Sequence, residues 1–331
     1  MQLRFQFQQN PVAGEVSALT AVVRPILEGT LYALKRDIVQ TFGGYDRVTL
    51  AILARIYRPG DGDCGLCFEY AVHDAMNRGD ATVVERLSDA QARCGVRGAD
   101  PASILFGVEK SGSLDLIDTV HDSLTDDSRL MAGTRGQPVK LKRHIDAIAA
   151  AFRKREMREK LPWSISGLWK ADLFIGDRDS DRWVATSVKI NRTGLEKARG
   201  LRIGIVPARE GRGDAIYRDL QRNLIVCPLP HDGAFMEVFY QGWGIVRQFI
   251  AADAHVPNEI ALPRPAERQV ARYLADRRTF PVLDVIEVLR PLAQPELLRS
   301  NEREAQLYQR RTGENEIQAV VAPVARNTQR D

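Results

Sequence analysis

The sequence predicts an α/β protein, because short runs rich in β-branched and aromatic residues alternate with longer amphipathic stretches. Two neighbouring β-rich runs, Leu168 to Gly176 and Trp183 to Asn191, flank a short polar turn and indicate a β-hairpin. Apolar residues before and after this hairpin recur at helical spacing. With 44% hydrophobic residues and four cysteines among 331 residues, the composition is that of a globular protein without a disulfide framework.

Residues 1–60 are predicted to form an N-terminal region with one strand and two helical stretches. Leu3 to Gln8 alternates like a strand, and Glu15 to Gln40 has apolar residues at helical spacing, which Pro25 should kink or end. Val48 to Tyr57 is a further helix candidate. The glycines and prolines around residue 60 favour a boundary there.

Residues 61–255 are predicted to form the core, and residues 256–331 a C-terminal helical region with a polar tail. The core begins with a helix that carries Glu69, and it contains a helical insertion at about 80–160. A short helix is predicted at Ala215 to Arg222, and a longer one at Phe235 to Ile250. Further strands are predicted at 200–207 and 224–228, and C-terminal helices at 267–275, 282–292 and 296–310.

The hairpin brings Asp172 and Lys189 near each other. Both have apolar neighbours in the sequence, and a carboxylate and an ammonium enclosed in this way are costly unless they pair or bind something. The alternative interpretation is an ordinary cross-strand ion pair at a sheet edge, which contributes at most about 1 kcal/mol.

These residues resemble the PD-(D/E)xK nuclease superfamily, in which an Asp on one strand and an (Asp/Glu)-x-Lys on the next organise Mg²⁺ and water. Asp172 matches the first position and Ser187-Val188-Lys189 the second, although Ser187 stands where an acid is expected. The resemblance implies a restriction-endonuclease-like mixed sheet core flanked by helices. It also implies Mg²⁺, with Mn²⁺ as a substitute, bound by Asp172 and the Val188 carbonyl, and Lys189 as the catalytic ammonium.

The resemblance further implies a glutamate on the helix before the hairpin, as a third catalytic and metal-binding residue. Glu69 fits this role, and Asp146 and Glu156 are rivals for it. The alternative interpretation makes Glu69 an exposed residue on a first helical turn, where the helix dipole favours negative charge. Ser187 could contact a water or a phosphate oxygen, or it could be an ordinary strand residue.

Basic residues cluster in two stretches beside the hairpin. Residues 135–170 hold 10 Lys/Arg against 3 Asp/Glu, and residues 192–222 hold eight against four. This asymmetry predicts a nucleic-acid partner, most readily DNA, whereas a solvated helix face is the alternative. The residues expected to contact the nucleic acid are Arg153, Lys154, Arg155, Arg158, Arg192, Lys197, Arg199 and Arg202.

The sequence therefore predicts a Mg²⁺-dependent endonuclease that acts on DNA, and fold-level analogy suggests restriction or antiphage defence. The alternative is a catalytically degenerate nucleic-acid-binding or structural subunit on the same fold, which the serine at position 187 favours. A zinc site built on Cys64 and Cys67 lacks a second closely spaced ligand pair. Without a long apolar run or a signal peptide, a cytoplasmic location and no membrane contact are expected. A homodimer and a multi-subunit complex both stay open.

Overall fold

The computed structural model describes residues 11–58, 60, 63–107, 120–132, 137–197, 200–209, 213–230 and 234–293. The predicted strand at residues 3–8 and the predicted helix at residues 296–310 lie outside this part of the chain. The described α-helices are α1 (Pro11–Tyr32), α2 (Arg36–Gln40), α3 (Leu50–Ile56), α4 (Asp63–Asn77), α5 (Ala81–Arg93), α6 (Ile145–Arg153), α7 (Arg155–Lys160), α8 (Ala234–Ala251), α9 (Pro265–Ala275) and α10 (Val282–Leu289).

The strands form one mixed sheet flanked by helices, which confirms the predicted α/β class. They are β1 (Pro101–Leu105), β2 (Arg129–Ala132), β3 (Gln137–Lys140), β4 (Leu173–Asp177), β5 (Arg182–Val188), β6 (Arg202–Pro207), β7 (Tyr217–Asp219) and β8 (Leu224–Leu229). Their order is β1-β4-β5-β6-β8-β7, with β2 and β3 off this path. Strands β1, β4 and β5 are antiparallel neighbours, whereas β5, β6 and β8 run parallel.

One hydrophobic cluster joins the N-terminal helices, the sheet and the C-terminal helices. It extends from Val16 in α1 to Leu289 in α10 and includes Ile203 and Ile205 of the sheet. Helix α1 contacts α4, α8, α9 and α10. The predicted boundaries near residues 60 and 255 thus do not separate hydrophobic cores, since all three regions share this one.

Pro25 lies inside α1 and does not end it. A proline within a helix removes one backbone hydrogen bond and costs about 3 kcal/mol. Val23, Ile26 and Leu27 around it are wholly buried. Because tertiary packing of buried side chains supplies most helical stability, it outweighs the local cost of the proline.

Two predicted helical segments have a different structure. The excursion between β1 and β4 contains the antiparallel ribbon β2–β3 as well as α6 and α7, whereas α5 precedes β1 and packs against β8. The segment predicted as a helix at Ala215 to Arg222 contains β7, which pairs with β8. Strands of three or four residues are too short to show a periodicity, so pairing with a neighbouring strand decides their structure.

A buried carboxyl group on α1 gives the first prediction. Burial, and then the Asp74 carboxylate, raise the pKa of Glu28 from 4.5 to about 7, against the lowering effect of Arg24. Because the carboxyl pKa is higher in the folded chain than in the unfolded chain, stability should fall as pH rises from about 4.5 to 7. Glu28→Gln removes this cost, so its stabilising effect in urea unfolding should be roughly 1–2 kcal/mol larger near pH 8 than near pH 5.

Glu15→Gln is the matched control for Glu28→Gln, because Glu15 is exposed on the same helix. Its effect on the free energy of unfolding should be the same at both pH values. If the effect of Glu28→Gln is also the same at both pH values, then the pKa of Glu28 is not raised in the folded protein.

Candidate active site

The β4–β5 hairpin brings Asp172 and Lys189 to the same end of the sheet. Asp172 directly precedes β4 and Lys189 directly follows β5, and the antiparallel register runs from Leu173↔Thr186 to Asp177↔Arg182. In an antiparallel pair the start of one strand lies beside the end of the other. The sequence prediction of a hairpin is confirmed, with strands shorter than the predicted runs.

The turn end of the hairpin is held by side-chain hydrogen bonds. Asp177 accepts from the backbone N–H groups of Ser180, at 2.8 Å, and Asp100, at 2.9 Å. The indole of Trp183 donates to Asp181 Oδ1 at 2.9 Å. These bonds fix the turn, and the turn fixes the register that places Asp172 beside the end of β5.

Helix α4 supplies the third side chain of the site. It packs against α1 and β1, and Phe68 lies against Phe239 of α8 with ring centroids 5.2 Å apart. The next residue, Glu69, is only 2% exposed. It lies at the end of the second turn of the helix and is not the exposed first-turn residue of the alternative interpretation.

The three side chains meet at the Lys189 ammonium. Lys189 Nζ lies 2.7 Å from Asp172 Oδ2 and 3.3 Å from Glu69 Oε1. The two carboxylates therefore contact one ammonium group. Asp172 Oδ2 also accepts the backbone N–H of Val188 at 2.9 Å. The side chains of Asp172 and Glu69 are 6% and 3% exposed, so the contact is buried and is not an edge ion pair.

The electrostatics of the site favour a charged lysine. Burial by itself lowers the pKa of Lys189, but the carboxylates of Asp172 and Glu69 outweigh it, and the pKa is raised above its ordinary value. The Lys189 side chain is 30% exposed, so one part of the ammonium environment opens toward solvent. An ammonium carries three N–H donors, and the two carboxylate contacts use two of them.

Arg202 lies inside the protein, close to this site. It is 3% exposed, and its Nη2 donates to the Gly167 carbonyl at 2.8 Å. Burial lowers the pKa of Arg202, while the Asp172 carboxylate opposes that shift. Gly167 has φ 85°, and a Cβ there would lie 2.9 Å from Arg202 Nη2. Arg202 thus stabilises the segment before Asp172 and is not part of the exposed basic surface.

The arrangement offers oxygen ligands suited to a hard divalent cation. Mg²⁺ is typically held by one or two carboxylates, waters and substrate phosphates, and Asp172 and Glu69 would be those carboxylates. The N–H and C=O of a strand residue point to the same side, so the Val188 carbonyl faces the side on which its N–H meets Asp172. The described residues hold no group of three His, Cys, Asp or Glu side chains placed to bind a metal.

Ser187 occupies a buried position in β5, next to the site. It is 8% exposed and is paired with Gly204 of β6. A Cβ on Gly204 would lie 2.9 Å from Leu195, so the loop after β5 packs closely over this part of the sheet. With serine here, the second carboxylate of the site comes from the helix residue Glu69.

The rival acids lie elsewhere. Asp146, on α6, has a side chain that is 82% exposed and pairs with His121 at 3.0 Å. Glu156, on α7, is exposed. Neither residue is among the described partners of Lys189. Of the three acids considered, the structure brings Glu69 to Asp172.

The cysteines and His73 show no metal centre within the described ranges. The four cysteines are free, and Cys67 is buried against Thr30. Burial lowers the pKa of His73 to about 4, and its Nδ1 lies 3.0 Å from Ser103 Oγ. A neutral histidine bonded to a strand residue fits a structural role.

The predicted nucleic-acid residues have several different surroundings. Lys154, Arg155, Arg192 and Lys197 are exposed. The Arg158 guanidinium lies 4.1 Å from the centroid of the Trp169 ring and donates to the Ala151 carbonyl. Arg199 and the side chain of Arg153 lie outside the described part of the chain.

Sequence reasoning missed two features. The role of Arg202 had a signal, since a charged residue stood within the apolar run Leu201 to Val206. The second feature is a cleft lined by Arg192, Thr193, Arg209 and Arg222. Its residues all belong to the basic stretch 192–222, but β6 and β7 lie between them, so the strand order is needed to show that they meet.

Comparisons of the chain with protein-family models, curated proteins and solved structures find no match. Within the described ranges, no helix is both long enough and apolar enough to cross a bilayer.

Proposed function

We propose that this protein is a Mg²⁺-dependent nuclease of the PD-(D/E)xK type that cleaves phosphodiester bonds, most readily in DNA. The observation that carries this proposal is the contact of Asp172 and Glu69 with the single ammonium of Lys189. Two buried carboxylates and a lysine add little to the stability of a fold, because the cost of removing these charges from water offsets much of their attraction. A group whose pKa is shifted by burial and by specific charged partners, as the pKa of Lys189 is, is typical of functional sites.

The order of the elements supports a restriction-endonuclease-like core. Strands β1, β4 and β5 are antiparallel, and β6 then continues the sheet parallel to β5. Helix α4 packs on β1 and carries Glu69. A mixed sheet flanked by helices is what the resemblance implies, although strand β7 stands where the helix Ala215 to Arg222 was expected. The excursion between β1 and β4 is then an insertion into the core.

The side chains have distinct roles in the proposed reaction. Asp172 and Glu69 would hold the cation, which would neutralise charge on the phosphodiester. Lys189, released from one of its two carboxylate contacts, would donate an N–H to the attacking water or to a phosphate oxygen. The hydrogen bond from Val188 N–H to Asp172 orients that carboxylate. Arg202 places a positive charge near Asp172.

A nucleic-acid-binding subunit without activity is the second candidate, and Ser187 is the observation that favours it. A serine hydroxyl is a weaker Mg²⁺ ligand than a carboxylate, so a site that lost its acid at this position can keep the fold and the basic surface. This candidate predicts DNA binding that is unchanged by Mg²⁺ and is never followed by cleavage.

The experiment that separates the two is incubation of the purified full-length protein with supercoiled and linear DNA. Parallel reactions contain Mg²⁺, Mn²⁺ or EDTA. The nuclease proposal expects nicked or shortened products with either metal and intact DNA with EDTA. Binding of DNA in a gel-shift assay with no product in any metal would favour the inactive subunit.

The exposed basic pair on α7 and at its start gives a prediction for binding. Phosphate contacts make log K fall by about 0.9 per contact for each decade of salt. If Lys154 and Arg155 contact the backbone, then replacing both with alanine should weaken binding to all DNA sequences alike and reduce the salt slope by about 1 to 2. A fluorescence titration at several salt concentrations measures both quantities.

Lys35→Ala with Arg36→Ala is the matched control for this variant, because it removes an adjacent, exposed basic pair at the start of α2. The control should leave the salt slope unchanged. An equal slope in the wild type and in the Lys154/Arg155 variant would mean that this segment does not touch the nucleic acid.

A further inference from the structure

A basic cleft lies beyond the hairpin, beside β6 and β8. It has a volume of about 350 Å³ and is lined by Arg192, Thr193, Arg209 and Arg222. Of the lining residues in the described part of the chain, three of the four are arginines, a composition that differs from that of an apolar ligand pocket. The cleft therefore suits an anion.

The fold holds these residues together without a helix. Arg192 and Thr193 lie in a 3-10 turn after β5, in which Asn191 Oδ1 accepts the Thr193 N–H at 3.1 Å. Arg209 follows β6, and Arg222 lies in the turn between β7 and β8. A small apolar cluster fixes this region, and its members are Leu195, Val206, Leu224, Val226 and the partly buried Tyr217.

The charge of the cleft is largely uncompensated within the described residues. There, the one ion pair made by the three arginines joins Arg222 Nη1 to Asp219 Oδ2 at 3.8 Å. Asp219 also accepts the backbone N–H of Arg222 at 3.0 Å, which gives this carboxylate a role in the turn. The Arg192 guanidinium lies 4.9 Å from the centroid of the Tyr217 ring, a contact that orients its planar group.

Three guanidinium groups that line the same cleft repel each other. An oxyanion bound between them would be attracted to all three and would offset this repulsion. Guanidinium binds phosphate oxygens with paired N–H donors, and the Thr193 hydroxyl adds a donor that needs no charge. A phosphate ester is therefore the ligand chemistry that the cleft fits best.

The turn that carries Arg192 also reaches the catalytic lysine. A Cβ on Gly194 would lie 3.6 Å from Lys189 Cδ and Cγ, so the turn packs directly against the Lys189 side chain. The cleft and the candidate active site thus share one short segment of chain. A strand whose phosphodiester lies at Lys189 passes this turn.

We propose that this cleft is a phosphate-binding subsite that seats a phosphate of the nucleic-acid strand while the Lys189 site acts on a neighbouring bond. The inference rests on the proposed function for its ligand. The phosphate is either an internal backbone phosphate or a terminal 5′-phosphate, since both present the same oxyanion. The two sources differ in their dependence on the strand end.

The test measures binding of fluorescent single-stranded DNA in EDTA, with and without a 5′-phosphate, together with competition by inorganic phosphate. The variant is Arg209→Gln with Arg222→Gln. Loss of two charge-assisted contacts should weaken DNA binding by about 10- to 100-fold and abolish competition by inorganic phosphate at the cleft. If the cleft binds a terminal phosphate, the wild type should prefer 5′-phosphorylated DNA and the variant should lose this preference. If the cleft binds a backbone phosphate, the variant should bind both DNAs more weakly by the same factor.

Arg47→Gln with Arg55→Gln is the matched control, because both side chains are more than two-thirds exposed and lie before or on α3. It removes the same charge and should change affinity by less than about 3-fold. Equal affinities of the cleft variant and this control for every probe would overturn the proposal. Should the double variant fail to fold, Arg209→Gln alone gives the same test, because Arg209 is exposed and follows the end of β6.

The outcome for the cleft is distinguishable from the outcome for the nuclease. If the wild type binds DNA through the cleft but never cuts it, the subsite stands and the proposed activity fails. If the wild type cuts DNA and the cleft variant binds and cuts as the control does, the activity stands and the subsite fails.

Discussion

Asp172→Asn should lower the rate of DNA cleavage by about 1000-fold or more, because it removes one of the two carboxylates proposed to hold the cation. The asparagine Oδ1 can still accept the Val188 N–H that Asp172 Oδ2 accepts at 2.9 Å, so the hairpin should keep its register. A neutral amide is a weaker Mg²⁺ ligand and cannot balance the Lys189 ammonium. Single-turnover cleavage of labelled DNA, with enzyme in excess, measures the chemical step without product release.

Asp177→Asn is the matched control for this variant. Asp177 ends the same strand, is 2% exposed and accepts backbone N–H groups from Asp100 and Ser180. Its replacement should cost stability at the turn while the cleavage rate of the folded protein stays within about 10-fold of wild type. A folded Asp172→Asn protein with wild-type activity, or an equal loss in both variants, would contradict the assigned role of Asp172.

Lys189→Met should destabilise the protein by about 3 kcal/mol in EDTA, because it leaves the buried carboxylates of Asp172 and Glu69 facing each other without a cation. Methionine keeps an unbranched side chain that is one atom shorter than lysine, and it removes the charge. Mg²⁺ should recover part of this loss, since the divalent ion supplies positive charge to the same two carboxylates. Urea unfolding with EDTA and with Mg²⁺ measures both effects, and DNA cleavage should be lost in either case.

Lys170→Met is the control for the loss of a lysine in an ion pair. Lys170 pairs with Glu196 at the surface, and these side chains are 37% and 60% exposed. An exposed pair of this kind contributes less than about 1 kcal/mol, and Mg²⁺ should have no specific effect on it. If Lys189→Met costs no more than Lys170→Met, or gains no more from Mg²⁺, the two buried carboxylates do not form the metal site.

The local part of the site could be predicted from the sequence. Asp172 and Lys189 lie on two consecutive strands joined by a short turn, so their proximity follows from hairpin pairing alone. The proximity of Glu69 could not be predicted from the local sequence pattern, because its helix is separated from the hairpin by β1 and the insertion. The resemblance to a nuclease family proposed it, and the geometry places it on Lys189.

The remaining features depend on contacts that no short segment encodes. The strands β2, β3 and β7 are too short to show periodicity, and their structure comes from pairing with partners elsewhere in the sheet. Arg202 and Arg192 belong to the same basic stretch of sequence, yet one is buried against Gly167 and the other lines an open cleft. The two arginines differ in burial, and their burial depends on the order of the strands in the sheet and not on the local composition.

A Mn²⁺-bound crystal structure can reveal the proposed metal site without any knowledge of the natural substrate, through diffraction from soaked crystals recorded at the manganese absorption edge. We expect one anomalous peak about 2.1 Å from an oxygen of Asp172 and joined to Glu69 directly or through one water. Lys189 Nζ should lie beside that peak and no longer bridge both carboxylates. If Lys189 keeps both contacts and Mn²⁺ binds elsewhere or nowhere, then Asp172 and Glu69 do not form a metal site.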